Sequence, residues 1–339
     1  MPAEWEPHEA TWLAWPHERT DWPGKFAPIP WVYADIVRRL SHVERVRILI
    51  GSASEEKLAR RTLEKSGAEL AAVEFLRVPT NRGWTRDFGP IFVKKSAGGV
   101  ALTNWRFNAW AKYDDWKMDD AATGKLIPKL KLPAWQPEFQ GRRVVLEGGS
   151  IEVNGLGTLL TTEECLLSPI QSRNPGLSRA DLEAVLRDYL GASNVLWLGN
   201  GIAGDDTHGH VDDLARFVNP TTVVTVVEAD PSDANYQPLR DNLARLRAMK
   251  DQDGNPLRID TLPMPQPVYF DGQRLPASYA NFYIANRLVL VPTFNDANDR
   301  VALNTLAELF PDREIVGIAC RDLVLGLGTL HCMTQQQPA

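Results

Sequence analysis

Along the chain, short runs of β-branched and other apolar residues alternate with amphipathic stretches that have a helical period. The run Arg45–Ile50 predicts a strand, and Ser52 followed three residues later by Glu55 predicts a capped helix that ends near Lys65. The same reasoning predicts further strands at 73–78, 143–146, 151–153, 158–161, 195–198, 214–218, 223–227, 288–291 and 314–319, and further helices at 179–190, 233–249 and 298–310.

This alternation is typical of an α/β fold. Several units of similar size also allow a pseudo-symmetric ring, and the periodicity alone does not choose between a ring and an open sheet. The segment Lys112–Lys131 is charged and weakly patterned, so we expect a surface insertion there. Three prolines, Pro263, Pro265 and Pro267, indicate an extended loop. No linker composition interrupts the pattern, so we expect one domain over residues 1–339.

Composition limits the classes of function. The net charge is −6, with 37 basic and 43 acidic residues well mixed, and no basic stripe points to nucleic acid. No apolar run is long enough to span a bilayer, and the first residues carry neither the basic nor the apolar region of a signal peptide. Three cysteines in 339 residues do not make a disulfide framework, so we expect a cytoplasmic protein.

Two polar clusters follow predicted strands in the first half of the chain. Trp84-Thr-Arg-Asp87-Phe-Gly-Pro contains a carboxylate that is either an ordinary turn residue or a charged group at the mouth of a site, with Trp84 as its apolar wall. Arg86 in this turn suggests a structural ion pair. Leu-Glu147-Gly-Gly-Ser contains a second carboxylate, which either caps backbone amides or holds a cation in the space that the glycines leave.

The densest cluster is Gly-Asp-Asp206-Thr-His208-Gly-His210-Val-Asp212-Asp at 204–213. A solvated loop is the simplest interpretation. If the backbone is extended, however, His210 and Asp212 project to the same side. The spacing of His208, His210 and Asp212 also resembles that of a hydrolase metal site, which keeps a metallohydrolase open as an alternative. A metallohydrolase would leave the thiol of Cys332, near the C-terminal end, without a role.

Cys332 lies in the segment Gly-Leu-Gly-Thr-Leu-His-Cys-Met-Thr near the C-terminal end. A free cysteine is often a small core residue, but Gly326 and Gly328 allow another group to approach closely. His331 is adjacent in sequence, so its side chain need not face the thiol, and a functional partner is expected elsewhere. Cys165 and Cys320 are expected to be ordinary strand or core residues.

Taken together, these clusters resemble the agmatine deiminase and Porphyromonas-type peptidylarginine deiminase family, within the wider guanidine-modifying superfamily. Six segments carry the resemblance in order along nearly the whole chain. They are MPAEWEPHEATWLAWP at 1–16, WTRDFGP at 84–90, LEGGS at 146–150, LTTEECLL at 160–167, DDTHGHVD at 205–212 and HCMTQQQP at 331–338. The resemblance implies a pseudo-five-fold α/β propeller, built from ββαβ-type modules around a central active site.

The resemblance also implies the roles of individual residues. The nucleophile would be Cys332, the acid and base would be His210, and the carboxylates that hold the guanidinium would be Asp87 and Asp212. Trp84 and Glu147 would line the site. Asp206 is a further candidate for binding, as a spare acid that could receive a terminal ammonium. This chemistry requires no metal and no organic cofactor. A guanidinium is a poor electrophile because its charge is delocalised, so two carboxylates must orient it before a thiolate attacks its central carbon.

The sequence departs from the usual family pattern at His208, where many members have Asp or Asn, and at Leu327, where many have glycine. These changes put the substrate tail in doubt. Over its full length the chain is most similar to agmatine deiminases, so the expected partner is a small cationic guanidine such as agmatine, and a homodimer is expected as the oligomer. The alternatives are a deiminase of peptidyl-arginine or of another guanidinoalkyl compound, the metallohydrolase, and a non-catalytic guanidine-binding protein.

Overall fold

The computed structural model describes all residues 1–339. Twenty strands alternate with eight α-helices. The strands are β1 (His8–Ala14), β2 (Arg45–Ile50), β3 (Val73–Arg77), β4 (Ile91–Lys94), β5 (Val100–Thr103), β6 (Ala134–Trp135), β7 (Glu138–Phe139), β8 (Arg142–Arg143), β9 (Glu152–Val153), β10 (Thr158–Thr162), β11 (Asn194–Leu198), β12 (Ala215–Asn219), β13 (Thr222–Val227), β14 (Arg258–Pro263), β15 (Tyr269–Phe270), β16 (Gln273–Arg274), β17 (Tyr283–Ile284), β18 (Leu288–Thr293), β19 (Glu314–Ala319) and β20 (Gln335–Pro338). The helices are α1 (Ile29–Ser41), α2 (Ala53–Ser66), α3 (Thr85–Phe88), α4 (Lys117–Leu130), α5 (Glu163–Leu167), α6 (Arg179–Leu190), α7 (Tyr236–Ala248) and α8 (Asp299–Leu309).

Five of the seven sheets repeat one arrangement, in which a central strand pairs antiparallel on one side and parallel on the other. The central strands are β1, β5, β10, β13 and β18. Each parallel pair is joined through helical residues, as the crossover between parallel strands requires. In the first sheet the antiparallel partner of β1 is β20, from the other end of the chain. The pairing therefore joins the two ends of the sequence.

Most of the predicted elements are present. The strands β2 and β19 have the predicted bounds, and each has three β-branched residues among its six. Helix α2 begins after Ser52, whose side chain accepts from the Glu55 amide, and α6 begins at a complete capping box between Ser178 and Asp181. Strand β8 ends at Arg143 instead of continuing to residue 146. None of the helices combines the length and apolarity needed to cross a lipid bilayer.

The predicted surface insertion at Lys112–Lys131 is wrong, because most of it forms helix α4. The helix buries Asp119, Ala122, Thr123 and Leu126. Asp119 is fully buried and its Oδ1 accepts from the backbone amide of residue 81 at 2.6 Å. The weak apolar stripe and the internal proline hid this helix in the sequence, since contacts with the rest of the protein stabilise it.

Candidate active site

Cys332 is almost fully buried, in the segment between β19 and β20. Asn281 Nδ2 lies 3.1 Å from its Sγ, and Asp212 Oδ2 lies 3.7 Å from the same sulfur. A Cβ added to Gly328 would lie 2.9 Å from the Trp84 ring and 3.2 Å from Sγ. The expected close approach at this glycine is therefore confirmed, and it brings the Trp84 indole against the loop that carries the thiol.

His331 faces away from the thiol. Its Nδ1 lies 2.7 Å from Asp212 Oδ2 and its Nε2 lies 2.8 Å from Glu4 Oε2. His331 therefore fixes Asp212 next to Cys332 rather than acting on the sulfur itself. Asp212 Oδ1, by contrast, is buried and has no hydrogen-bond partner. A buried carboxylate oxygen without a partner is costly, and this atom is available to accept a hydrogen bond.

Asp87 lies in the four-residue helix α3 and is nearly fully buried. Its Oδ2 accepts from Trp110 Nε1 at 2.8 Å, and its Oδ1 accepts from the Gly149 amide at 3.1 Å. Trp110 and its neighbours Ala109 and Ala111 all have positive φ angles, between 49° and 58°. This conformation costs an L-residue about 1–2 kcal/mol, and here it presents the Trp110 indole to the carboxylate.

His210 is fully buried beside two acids. Its Nδ1 lies 3.8 Å from Asp87 Oδ1, its Nε2 lies 3.7 Å from Glu147 Oε2, and neither nitrogen has a hydrogen-bond partner. Glu147 in turn accepts from Arg173 Nε, at 3.1 Å and 3.3 Å to its two oxygens. Ligand atoms of His210, Glu147 and Cys165 all lie within 4.8 Å of one another. The imidazole therefore has Asp87 on one side and Glu147 with Cys165 on the other.

The backbone between His210 and Asp212 is not extended, so the condition under which the two side chains were expected to share a side is not met. Residues Val211–Asp213 form a 3-10 turn, with His210 at its start. The turn nevertheless brings both side chains to one place. A Cβ added to Gly149 would lie 2.5 Å from His210 Nδ1, 2.9 Å from Asp87 Oδ1 and 3.0 Å from Asp212 Oδ2. The two acids and the imidazole therefore converge around a residue that has no side chain.

Burial and charge set the ionisation of these groups. Burial raises the pKa of Asp87 to about 6, with the nearby carboxylates of Asp212 and Glu147 adding to the effect. Burial also raises the pKa of the Cys332 thiol well above its usual value, and the acids around it raise it further. For His210, burial alone would lower the pKa, but Asp87, Cys165 and Glu147 together hold it well above the ordinary range.

The pKa of the other two acids moves in the opposite direction. Burial would raise the pKa of Glu147, yet the Arg173 guanidinium and His210 lower it to about 2. Burial would likewise raise the pKa of Asp212, but its hydrogen bond and charge interaction with His331 lower it. Both acids are therefore carboxylates near neutral pH. With a protonated thiol beside them, the site has excess negative charge that a cationic ligand would neutralise.

A cavity of about 450 Å³ opens above the thiol. Trp84, Asp87, Asp206 and Cys332 all line it, as expected from the sequence. Glu147, His210 and Asp212 are fully buried and do not line it; they lie beneath its floor, with Glu147 next to His210 and in an ion pair with Arg173. Asp212 Oδ1 and both His210 nitrogens have no hydrogen-bond partner, whereas Glu147 is paired with Arg173, so a direct contact of Glu147 with a substrate stays a prediction.

Two other residues of the 204–213 segment also differ from expectation. Asp206 is not a spare acid, because it pairs with Lys112 and accepts from the Tyr113 hydroxyl at 2.7 Å. His208 lies away from the cavity, with its Nε2 3.1 Å from Ser168 Oγ. The arrangement therefore does not unite His208 with His210 and Asp212, as the metallohydrolase alternative requires.

Two sets of side chains have ligand atoms close enough together to hold a metal ion: Glu147 with Cys165 and His210, and Asp212 with Asp213 and Cys332. The Arg173 guanidinium is paired with Glu147, so a permanent positive charge beside the first set opposes a metal cation. The second set uses the sulfur and the carboxylate that a cationic substrate would also need. The donor sets therefore favour an organic cation over a metal.

Several residues of the site were missed from the sequence. Glu4 pairs with Arg86 at 3.1 Å and with Arg216 at 2.9 Å, which confirms the expected structural ion pair of Arg86. Trp110, Arg173 and Asn281 also contact site residues. Glu4 lies in the N-terminal segment that resembles the family, which is a usable signal. The other three stand in segments whose composition carries no such signal.

Comparison with known proteins gives a consistent result. A family model described as Porphyromonas-type peptidyl-arginine deiminase matches residues 1–338. The agmatine deiminase of Stutzerimonas stutzeri is 36% identical over 362 residues, covering 100% of this chain and 95% of the relative. The solved agmatine deiminase of Enterococcus faecalis has a TM-score of 0.91 at 34% identity, covering 100% of this chain and 95% of that one. A C. jejuni agmatine deiminase with substrate bound has a TM-score of 0.87 at 30% identity, covering 100% and 96%.

Proposed function

The chain belongs to the Porphyromonas-type peptidyl-arginine deiminase family, and we propose that it hydrolyses agmatine to N-carbamoylputrescine and ammonia, as a step in putrescine and polyamine synthesis. The relatives named agmatine deiminase match it over its full length. The observation that carries the proposal is the convergence of Asp87, His210 and Asp212 beside the Cys332 thiol, with Asp212 Oδ1 and both His210 nitrogens buried and unpartnered.

A guanidinium at this place satisfies the unpartnered atoms. It is planar, always cationic, and presents N–H groups in pairs that match carboxylate oxygens. Asp212 accepts at its free Oδ1, and Asp87 accepts on the opposite side while the Trp110 indole and Gly149 amide hold its orientation. The substrate carbon is then held near Sγ, which converts the attack into a step within one complex.

Substrate charge also activates the nucleophile. In the free enzyme Cys332 is a thiol, because burial and the surrounding acids raise its pKa. A bound guanidinium offsets that negative field and favours the thiolate, so the thiol proton is lost to solvent as the substrate binds, while Asn281 Nδ2 donates to the sulfur. The thiolate attacks the guanidinium carbon and forms a tetrahedral adduct. The enzyme therefore generates its reactive form chiefly when substrate is present.

His210 carries the protons. It is cationic in the free enzyme because Asp87, Cys165 and Glu147 raise its pKa against the effect of burial. It gives a proton to the departing nitrogen, so ammonia leaves and an S-alkylthiouronium remains on Cys332. The now neutral imidazole takes a proton from water, and the resulting hydroxide attacks the same carbon. Collapse of this second adduct breaks the C–S bond and releases N-carbamoylputrescine, while the proton of the adduct's hydroxyl returns to the Cys332 sulfur. Glu147 and its partner Arg173 hold the ring in place.

The tail of the substrate lies in the cavity above the thiol. Four acids line it, Asp21, Asp87, Asp206 and Asp271, against one base, Arg82. Asp21 pairs with Arg82. Asp206 pairs with Lys112. Asp271 lines the cavity and is in no ion pair, so it is the acid that receives the terminal ammonium. Since His208 lies elsewhere, it does not weaken the preference for a cationic tail.

The finer architecture is part of the proposal. The recurrence of the same strand arrangement in five sheets supports a pseudo-five-fold propeller of five modules, with the pairing of β1 and β20 closing the ring. We place the whole chain in one catalytic domain, in a cytoplasmic enzyme that assembles as a homodimer. All three cysteines are free, which suits a reducing compartment.

Ammonia release from a panel of guanidines tests the proposal. We expect agmatine to be the best substrate and free arginine to be poorer by about a hundredfold or more, because its carboxylate would enter an acidic cavity unpaired. N-acetylarginine amide lacks the terminal ammonium and is the deciding comparison. If the amide matches agmatine in kcat/KM, the polyamine assignment fails while the deiminase chemistry survives. If no guanidine releases ammonia, the enzymatic proposal fails.

A further inference from the structure

A second cavity, of about 480 Å³, lies beside the Arg173–Glu147 ion pair and is separate from the one above Cys332. Four arginines line it and no acidic residue does. The chain as a whole has a net charge of −6, so this concave patch has the opposite sign from the protein around it. Its polar lining is Arg106, Asn108, Arg142, Arg143, Arg173 and Asn174.

Three of these arginines have no carboxylate partner. Arg106 lies over the Trp116 ring, with its guanidinium carbon 5.2 Å from the ring centre. Arg143 donates from one terminal nitrogen to the Asn104 carbonyl at 2.7 Å, while its Nε is buried and has no partner. Arg142 is exposed at the same edge and forms no ion pair. Unpaired guanidinium groups around a concavity concentrate a positive field and attract anions.

The backbone holds these arginines together. The Arg106 amide donates to the Val144 carbonyl, and the Leu146 amide donates to the Arg106 carbonyl. The two segments therefore run side by side, and the second continues directly into Glu147. Phe139 and Leu177 give the cavity an apolar wall. Its volume is within the range of small-molecule sites, which is ~300–1,000 Å³.

We propose that this arginine cavity is a binding site for a small multivalent anion that carries phosphate or carboxylate groups. The forked guanidinium groups of Arg142 and Arg143 bind two oxygens of such a group, and the buried Nε of Arg143 gains the acceptor that it lacks. Each nitrogen of the Arg173 guanidinium already donates one hydrogen bond, to Glu147, the Gln171 carbonyl or the Thr207 carbonyl, so Arg173 contributes mainly positive charge to the cavity.

Isothermal titration calorimetry at constant ionic strength tests the site, with inorganic phosphate and citrate as the two test anions. We expect saturable binding of at least one of them to the wild-type protein. Arg142→Gln and Arg143→Gln should each weaken that binding about tenfold, the effect of removing one charged hydrogen-bond donor pair. Arg187→Gln removes an exposed arginine outside the cavity and should leave the affinity unchanged.

The pattern across the two anions identifies the ligand group, since binding of phosphate alone assigns a phosphate site and binding of citrate alone assigns a carboxylate site. Arg142 is exposed, so its variant should fold even if Arg143→Gln does not. The proposal is overturned if the wild-type protein binds neither anion saturably. It is also overturned if Arg142→Gln binds both anions as tightly as Arg187→Gln does. Since the titration measures binding alone, its result is independent of which guanidine the enzyme hydrolyses.

Discussion

Gly149→Ala is the most direct test of the proposed active site, because it adds one methyl group where the catalytic side chains converge. The new Cβ would lie 2.5 Å from His210 Nδ1 and 2.9 Å from Asp87 Oδ1. The backbone at Gly149 does not have a positive φ, so alanine is conformationally allowed and the effect is steric. The substitution thus changes neither the charge nor the hydrogen-bonding groups of the site.

The magnitude follows from these distances. Non-bonded heavy atoms prefer separations of about 3.5–4.0 Å, so the imidazole must move by about 1 Å. A displacement of this size in a catalytic group costs about a hundredfold in rate. Overpacking of a filled region lowers the free energy of unfolding by about 1–3 kcal/mol, which a protein of this size tolerates. We therefore expect a folded protein whose kcat/KM for agmatine is reduced about a hundredfold.

The assay is steady-state ammonia release from agmatine, with thermal unfolding measured in parallel. Gly124→Ala is the matched control, because a Cβ there would lie 3.8 Å from Asn104 Nδ2, an ordinary contact, in the interior of α4. It should retain full activity and be stabilised by up to about 1 kcal/mol through helix propensity. If Gly149→Ala kept kcat/KM within about threefold of the wild-type value, the convergence of these side chains would not be the site of the reaction.

The remaining predictions concern single groups. Cys332→Ser should abolish ammonia release, because a hydroxyl is too weakly acidic to attack a guanidinium, while Cys320→Ala should retain activity. Chelation with EDTA should leave the activity unchanged, and iodoacetamide should inactivate the enzyme. Loss of activity on chelation, restored by zinc, would revive the metallohydrolase. The value of kcat/KM should fall as the pH decreases below about 6, because burial raises the pKa of Asp87 to about 6 and the protonated acid cannot hold a cation. Asp87→Asn should cost on the order of 3 kcal/mol of transition-state stabilisation and should remove this fall at low pH. At high pH the profile should fall as His210 loses the proton that it gives to the departing nitrogen. Cys165→Ala should move this fall to lower pH, because Cys165 is one of the groups that raise the pKa of His210. An unchanged profile would show that the Cys165 thiol is only a core residue.

Local pattern was sufficient for elements that are stabilised by their own sequence. Strands β2 and β19 are predictable because β-branched residues favour strands, and each pairs in parallel with a neighbouring strand. Helix α4 was not predictable, since its burial of Asp119 depends on backbone amides at residues 81 and 82, far away in the chain. The 3-10 turn at Val211–Asp213 was not predictable for a different reason, because a tight turn and an extended strand can both bring His210 and Asp212 to one side.

The candidate site shows the same division. The motifs that contain Asp87, His210, Asp212 and Cys332 were identifiable because each concentrates reactive groups beside glycine or aromatic residues. Their partners were not, because each partner pairs across a long separation. Arg173 is distant from Glu147 in sequence, so the sequence could not reveal that this acid is paired with an arginine beside His210.

Glu4 explains why adjacent residues have different roles in the motifs that contain Asp87 and Cys332. It accepts from Arg86, next to Asp87, and contacts His331, next to Cys332. In each pair one side chain is fixed to a buried carboxylate and the next one faces the site. Removing one partner of such a buried network costs about 3–5 kcal/mol, so these neighbours are held firmly. Anchoring through the adjacent residue therefore adds to the hydrogen bonds that Asp87 accepts from Trp110 and Gly149 and that the Cys332 sulfur accepts from Asn281. Asp87 and Cys332 are thus each positioned both by their own contacts and by those of the preceding residue.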